Sequence, residues 1–211
     1  KQQRELMRTG VVTNHNVAFS GGTAATQYRA SLNYFDQQGV VISNGLKRYQ
    51  GRLNATHSAL ESRLQIALNL MAARVNNDYA PIENTGGFIG GLFTNMAIYN
   101  PTHPVRTASG QYFEVGTGAQ DAKNPVALAR QLEDDAPENR VLSNVPATLS
   151  LVPDLLSAQT TLGVDYTDAV RRVFAPRSSP VGALFDGYPS QEQRSLQKLN
   201  FQQLIKFSPR F

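Results

Sequence analysis

The sequence predicts an all-β protein: an antiparallel up-and-down meander that forms a segment of a transmembrane β-barrel, with long extracellular loops that carry short helices. Three observations favour this fold. Side chains alternate between polar and apolar over runs of about 9 to 13 residues, which suits tilted strands that cross a bilayer. The connections between these runs alternate between short and long. No stretch approaches the roughly 18 consecutive apolar residues that a membrane-spanning helix needs.

The first part of the chain holds four alternating runs after a polar lead-in at 1–13, where a short helix is expected near Glu5. Two turn dipeptides, Gln38-Gly39 and Asn44-Gly45, separate the second run from the third, and Asn-Gly is a strong hairpin signal. The predicted strands lie at 14–22, 24–36, 46–58 and 63–75.

The run at 63–75 has a competing interpretation. Its Leu, Ala, Met and Arg residues all favour a helix. However, Leu64, Ile66, Leu68 and Leu70 recur with a period of two, which favours a strand.

A long irregular stretch follows at 76–139, with helices expected near 88–98 and 125–134. Asn124-Pro125 is a good start for the second helix, because proline suits the first helical turn. The acidic run Glu133-Asp134-Asp135 is interpreted as the solvated end of that helix, with calcium binding as the alternative.

Two further strands are predicted, at 139–152 and 157–168, followed by a second long loop. The tail after Leu199 could begin another strand, whose register the sequence leaves open. We therefore divide the chain into a lead-in, 1–13, and a partial β-barrel domain, 14–211, with long loops at about 76–139 and 169–200.

The lengths of the connections indicate where these loops lie. In an up-and-down sheet, alternate connections fall at opposite ends, so every long connection here falls at the same end. Outer-membrane barrels show this asymmetry, with short periplasmic turns and long outer loops. A soluble β-sheet with one solvated face remains the alternative.

The strands have two unlike faces. In a barrel, the apolar face contacts lipid and the polar face lines a wet lumen. The apolar face includes Tyr28, Ala30, Leu32 and Tyr34. The residues predicted to face the lumen are Arg29, Asn33, Arg48 and Arg52.

Any ligand surface is expected on the long loops, where aromatic rings can stack on sugars or peptide side chains. The alternative is that these rings pack a small core within the loop. The candidate substrate-binding residues are Tyr79, Phe88, Phe93, Tyr99, Tyr112 and Phe113.

Composition argues against several other classes of function. The net charge of +4 is mild and there is no long basic run, so nucleic-acid binding is not expected. The absence of cysteine excludes disulfides and thiolate ligands. The three histidines lack ligand spacing, and no nucleophile has a suitably placed base. We predict no catalytic residue, metal or cofactor, and therefore no enzyme.

Several motifs resemble the start of the barrel in SusC/RagA-type TonB-dependent outer-membrane transporters. They are the "SGG" at Ser20 to Gly22, "YFDQQGVV" at Tyr34 to Val41, "KRYQGRLN" at Lys47 to Asn54 and "LQIALN" at Leu64 to Asn69. The family usually has leucine where Phe35 stands. The likeness extends over roughly 5–187 and includes "NPVALARQLEDD" in the long loop and "LSAQTTLGVDYTD" in a later strand.

This resemblance implies a barrel of about 22 strands with an N-terminal plug, driven by TonB and working with a SusD-like surface lipoprotein. Such transporters lie in the lipid of the bacterial outer membrane and import glycans or peptides. This chain shows about six strands and no plug, TonB box or signal peptide, so it is expected to be a fragment. The alternative function is a soluble β-rich cell-surface or carbohydrate-binding module.

Overall fold

The chain forms a single antiparallel sheet of seven strands in the order of the sequence. It is described by a computed structural model that covers residues 2–82, 91–116, 118 and 121–209. Each strand pairs with the next one along the chain, as in an up-and-down meander. The sheet is open, with β1 and β7 at its edges. The predicted all-β, antiparallel up-and-down meander is confirmed.

The strands are long. They are β1 Val12–Gly22, β2 Thr26–Gln38, β3 Gly45–Ala59, β4 Leu64–Asp78, β5 Glu133–Val152, β6 Leu156–Ala175 and β7 Tyr188–Phe207. The helices are α1 Gln2–Leu6, α2 Leu92–Ile98 and α3 Pro125–Gln131, with a 3₁₀ turn at Gly182–Leu184. The last three strands have 20 residues each, more than the 9 to 11 or so that cross a bilayer.

β4 confirms that the run at 63–75 is a strand. Its pairing with β3 and β5 supplies backbone hydrogen bonds on both sides. This tertiary gain overrides the helix propensity of its side chains.

The connections alternate in length as predicted. The short ones, 23–25, 60–63 and 153–155, lie at one end of the sheet. The longer ones, 39–44, 79–132 and 176–187, lie at the other, which we call the loop end.

The predicted extents of the long loops, 76–139 and 169–200, are wrong. β5 begins at Glu133, β6 continues to Ala175, and β7 starts at Tyr188. The extra residues of β5 and β7 are mostly charged or polar, and those of β6 are interrupted by Arg171 and Arg172, so none of these segments shows a clear apolar alternation. Cross-strand ion pairs hold them instead: Asp135 lies directly opposite Arg172, and their side chains are 2.6 Å apart.

The acidic run Glu133-Asp134-Asp135 is therefore not a helix end. It opens β5, and α3 ends at Gln131. Asp134 and Asp135 point to opposite faces of the sheet, and each pairs with an arginine. That arrangement does not bring the three carboxyl groups together around a calcium ion.

The hydrophobic core lies at the loop end and not on a face of the sheet. It joins Leu6 of α1 and Leu92 of α2, each 0% exposed, to α3 and to the 39–44 and 176–187 connections. Its buried members are Leu6, Val41, Ile42, Ala80, Leu92, Val105, Val126, Leu128, Ala129, Leu132, Ala175 and Val181. The long connections thus fold into one cap over that end.

The apolar face of the sheet is exposed. Val17 lies opposite Leu32, and these side chains are 66% and 65% exposed. Phe201 on β7 is 63% exposed. Water-soluble proteins rarely leave a contiguous apolar face of this size uncovered, whereas lipid covers it in a barrel.

Within the described part of the chain, no helix is long and apolar enough to cross a membrane.

Candidate functional site

The register places all four predicted lumen-facing residues on the same face. Arg29 lies opposite Asn54, Asn33 opposite Gln50, Arg48 opposite Phe35, and Arg52 opposite Ser31. Along β2, Arg29 and Asn33 alternate with Leu32, and their cross-strand partners on β3 lie on the same face as Arg48 and Arg52. We call this side the polar face. That it lines a lumen stays a prediction.

A small cavity of about 220 Å³ opens on the polar face between Arg48 and Arg52. The Arg48 guanidinium lies 5.3 Å from the centroid of the Phe35 ring, a cation–π contact. With its amide oriented to satisfy its neighbours, Gln50 accepts hydrogen bonds from Arg52 Nε at 3.3 Å and Nη2 at 3.2 Å. The cavity is lined by Asn16, Ser31, Asn33, Arg48, Gln50 and Arg52.

Two bidentate ion pairs occupy the polar face of β5 and β6. Arg140 donates to Asp165 at 3.1 and 2.8 Å. Arg171 donates to Asp134 at 2.9 and 2.7 Å. These are strong charge-assisted hydrogen bonds with a fixed geometry.

Tyr79 lies beside the second of these pairs, at the loop end. The Arg171 guanidinium is 5.4 Å from the centroid of its ring. The backbone N–H of Tyr79 donates to Asp134 O at 2.8 Å, and the residue stays 41% exposed. One side of this ring therefore remains exposed at the loop end of the polar face.

The other candidate aromatics divide into two groups. Phe93 on α2 is 47% exposed, whereas Tyr99 is 3% exposed and donates its hydroxyl to Phe113 O. Tyr99 and Phe113 sandwich His103, with ring centroids 5.7 and 5.3 Å apart. The prediction that Tyr99 offers a stacking face is wrong, because its ring packs the interior of the loop. Phe88 lies outside the described residues.

Tyr112 also packs against the core cluster, and the Arg106 guanidinium covers its ring at 4.1 Å. The five described candidates therefore do not form one patch. The structure brings Tyr99, Tyr112 and Phe113 together within the loop and leaves Tyr79 and Phe93 exposed at separate places.

A buried polar network that sequence reasoning missed holds the loop together. Asn124 is 0% exposed, and its Nδ2 donates to Val105 O at 2.8 Å and to Phe113 O at 3.0 Å. Lys123 is 1% exposed, and its Nζ donates to Gly118 O at 2.7 Å. Its backbone N–H donates to Asn95 Oδ1 at 2.8 Å. No local pattern marks Lys123 or Asn95, because they are 28 positions apart.

Burial changes the acidity of two groups in this network. It raises the pKa of Tyr99 to about 12, and the charge of Glu114 acts in the same direction. Burial also raises the pKa of the Glu114 carboxyl, although the N–H of Asn124 and the charge of Lys123 oppose this. A charged Glu114 is therefore held in the loop at some cost in stability.

The described residues contain no group of three His, Cys, Asp or Glu side chains that could hold a metal ion. His15 lies on β1, His57 on β3 and His103 in the long loop, so the fold does not bring the histidines together.

Comparisons with known proteins give a consistent result. No protein-family model matches the chain. It is 30% identical over 195 residues to TonB-dependent receptor P3 of Formosa agariphila, covering 92% of this chain and 19% of that protein. It is 25% identical over 187 residues to TonB-dependent receptor SusC of Bacteroides thetaiotaomicron, covering 80% of this chain and 18% of SusC. The chain thus spans about a fifth of the length of the curated relatives it matches.

Solved structures show the same fold. The RagAB peptide transporter matches with a TM-score of 0.69 and 23% identity, over 98% of this chain and 23% of the matched chain. A closed-closed state of the RagAB peptide importer matches with a TM-score of 0.67 and 21% identity, over 98% and 23% of the two chains. In sequence and in fold, the chain is a β-barrel segment of the SusC/RagA type of TonB-dependent transporter.

Proposed function

We propose that this chain forms part of the barrel wall of an outer-membrane, TonB-dependent importer. The observation that carries the proposal is the single-layered sheet with unlike faces. Its apolar face, with Leu32 65% exposed, suits lipid. Its polar face carries ion pairs and, within the part of the chain that the structure describes, arginines without an ion-pair partner. A membrane offers no water to an open sheet edge, so β1 and β7 need further strands beside them. The similarity to TonB-dependent receptors supports the same assignment.

The proposal extends to partners and substrates. A SusD-like surface lipoprotein covers the loop end, and TonB acts through a plug domain of the whole transporter. The substrate is an oligosaccharide or a peptide. The match to SusC and the match to the RagAB peptide transporter support this choice of classes. The relatives are receptors and transporters, which argues indirectly against an enzyme.

Tyr79 and Phe93 are the aromatic residues that we assign to substrate contact. Both are exposed at the loop end, and an aromatic ring stacks on a sugar or on a hydrophobic side chain. Tyr79 is held by Arg171 and by its own backbone, so its ring is positioned before a ligand arrives.

Membrane extraction tests whether the protein is embedded in the outer membrane. The full-length protein should stay with the outer-membrane fraction until detergent is added. On a gel it should migrate differently with and without boiling, as stable barrels do. Release of the folded protein into buffer without detergent would refute the proposal and favour the soluble carbohydrate-binding alternative.

Uptake measurements identify the substrate class. A deletion strain should lose growth on either oligosaccharides or peptides, and the intact gene should restore it. The Tyr79→Ala and Phe93→Ala variants should reach the membrane at normal levels and show weaker uptake. Tyr112→Ala serves as the matched control, because Tyr112 packs against the loop core.

A further inference from the structure

The polar face of β1 to β4 carries three arginines and no carboxylate. Arg29, Arg48 and Arg52 lie there, whereas both acidic residues of these four strands, Asp36 and Asp78, lie on the opposite face. Asp36 approaches Lys47 on that opposite face, at 4.0 Å. This half of the polar face is therefore cationic throughout.

The arginines on β5 and β6, in the neighbouring half of the same face, have acidic partners. Arg140 and Arg171 each have a bidentate aspartate partner on the polar face. Among the described residues, no acidic side chain lies within ion-pair distance of Arg48 or Arg52. A guanidinium is shaped to bind a carboxylate through two parallel hydrogen bonds.

Two polar atoms that line the cavity between Arg48 and Arg52 lack hydrogen-bond partners among the described residues. Arg48 Nε and Asn33 Oδ1 are shielded from solvent, and neither has a hydrogen-bond partner in the part of the chain that the structure describes. A bound group reaches these atoms only when the side chains that shield them shift, and pairing the atoms then recovers free energy. The Phe35 ring holds the Arg48 guanidinium at the rim, while Asn33 keeps its own amide N–H bonded to Asn14 Oδ1 at 2.7 Å.

We propose that this cavity binds a carboxylate of an acidic polypeptide. The two guanidiniums supply donors for the carboxylate oxygens. The volume of about 220 Å³ accommodates one acidic residue. The carboxylate comes either from another segment of the same protein or from an acidic peptide in solution.

Two measurements on the detergent-solubilised full-length protein test this. In the first, an acetylated tetraglutamate peptide is titrated into wild type and into the double variant Arg48→Gln, Arg52→Gln. Tetraglutamine is the uncharged probe. The control is Arg63→Gln, which removes one positive charge in the exposed β3–β4 turn, where the double variant removes two in the cavity. In the second, a photoreactive benzoylphenylalanine replaces Gln50 inside the cavity, and mass spectrometry identifies the cross-linked peptide.

Both sources of the carboxylate give a defined result. If the ligand comes from solution, tetraglutamate binds wild type, and the double variant weakens binding by about tenfold or more. Arg63→Gln leaves that binding unchanged, and Arg48→Lys with Arg52→Lys gives an intermediate loss, because lysine keeps the charge but not the fork. If the ligand belongs to the protein, tetraglutamate does not bind, and residue 50 cross-links to a segment that contains Asp or Glu.

The inference is overturned if tetraglutamate does not bind and residue 50 yields no cross-link to an acidic segment. It is also overturned if the double variant binds tetraglutamate as wild type does. The cross-link does not require the double variant to fold, and its outcome does not depend on which solute the transporter carries.

Discussion

Replacing Asn124 with alanine should destabilise the folded form of the long loop by about 2 to 4 kcal/mol. Asn124 caps α3, because its Oδ1 accepts from Val126 N at 3.0 Å and Ala127 N at 3.4 Å. Losing such a cap costs about 1 kcal/mol, and up to about 2. Its Nδ2 also binds two buried carbonyls, Val105 O and Phe113 O. Each carbonyl keeps another donor, so each loss adds only about 0.5 to 1 kcal/mol.

Hydrogen–deuterium exchange on the full-length protein measures this loss where it occurs. Amides of α3 should exchange about 30 to 1000 times faster in Asn124→Ala, since 1.4 kcal/mol corresponds to about tenfold. Asn124→Ser is the matched control, because serine keeps a capping oxygen but loses the amide donor, and it should show about half the effect. Unchanged exchange in Asn124→Ala would refute the reasoning, and equal effects of serine and alanine would refute the part assigned to the cap.

Three further sets of variants test the loop, the loop end of β5 and β6, and the apolar face. Glu114→Gln should remove a pH dependence of loop stability. The folded-state pKa of Glu114 is raised, so its contribution to loop stability is present at low pH and falls as pH rises through that pKa. Exchange rates of wild type and variant at pH 5 and 7 measure this, and parallel pH profiles would contradict it. Arg171→Ala should destabilise the loop end of β5 and β6 by about 2 kcal/mol, and Asp134→Ala by only about 1 kcal/mol. The first change leaves an aspartate that is 6% exposed without its partner, whereas the second leaves an arginine that is 53% exposed. Denaturant melts of both variants test this order, and the reverse order would argue against it. Val17→Arg should destabilise the assembled barrel by about 2 to 4 kcal/mol, because it places a charge against lipid. Ala18→Arg, on the other face, should assemble normally, and heat-modifiable migration on a gel measures both. Equal assembly of the two variants would mean that the apolar face does not contact lipid.

The sequence predicted the strands best where an apolar face constrains every second residue. In β2, the alternation from Gln27 to Tyr34 gave both the strand and the correct assignment of Leu32 to the apolar face. The same rule separated Arg48 and Arg52 from Tyr49 on β3. The Asn124-Pro125 start of α3 was also correct, because a cap and a first-turn proline act locally.

Prediction failed where pairing depends on distant partners. β7 from Tyr188 to about residue 198 is almost entirely polar, and only its register with β6 makes it a strand. The aromatic residues of the long loop could not be sorted by sequence, because whether Tyr99 is buried depends on how 99–113 folds back on α3. Lys123 gave no signal at all, since its burial requires backbone carbonyls that only the folded loop presents.

By itself, the sequence determined the class of fold, the two faces of β1 to β4 and the segregation of short and long connections. Period-two alternation and turn residues act over a few positions, so they can be read locally. Only the tertiary structure decided where the strands end and that the buried core lies in the loop cap. It also decided that Arg140 and Arg171 have carboxylate partners, whereas Arg48 and Arg52 have none among the described residues. Those features depend on contacts between side chains that are far apart in the chain. Local sequence patterns do not specify which distant residues come into contact.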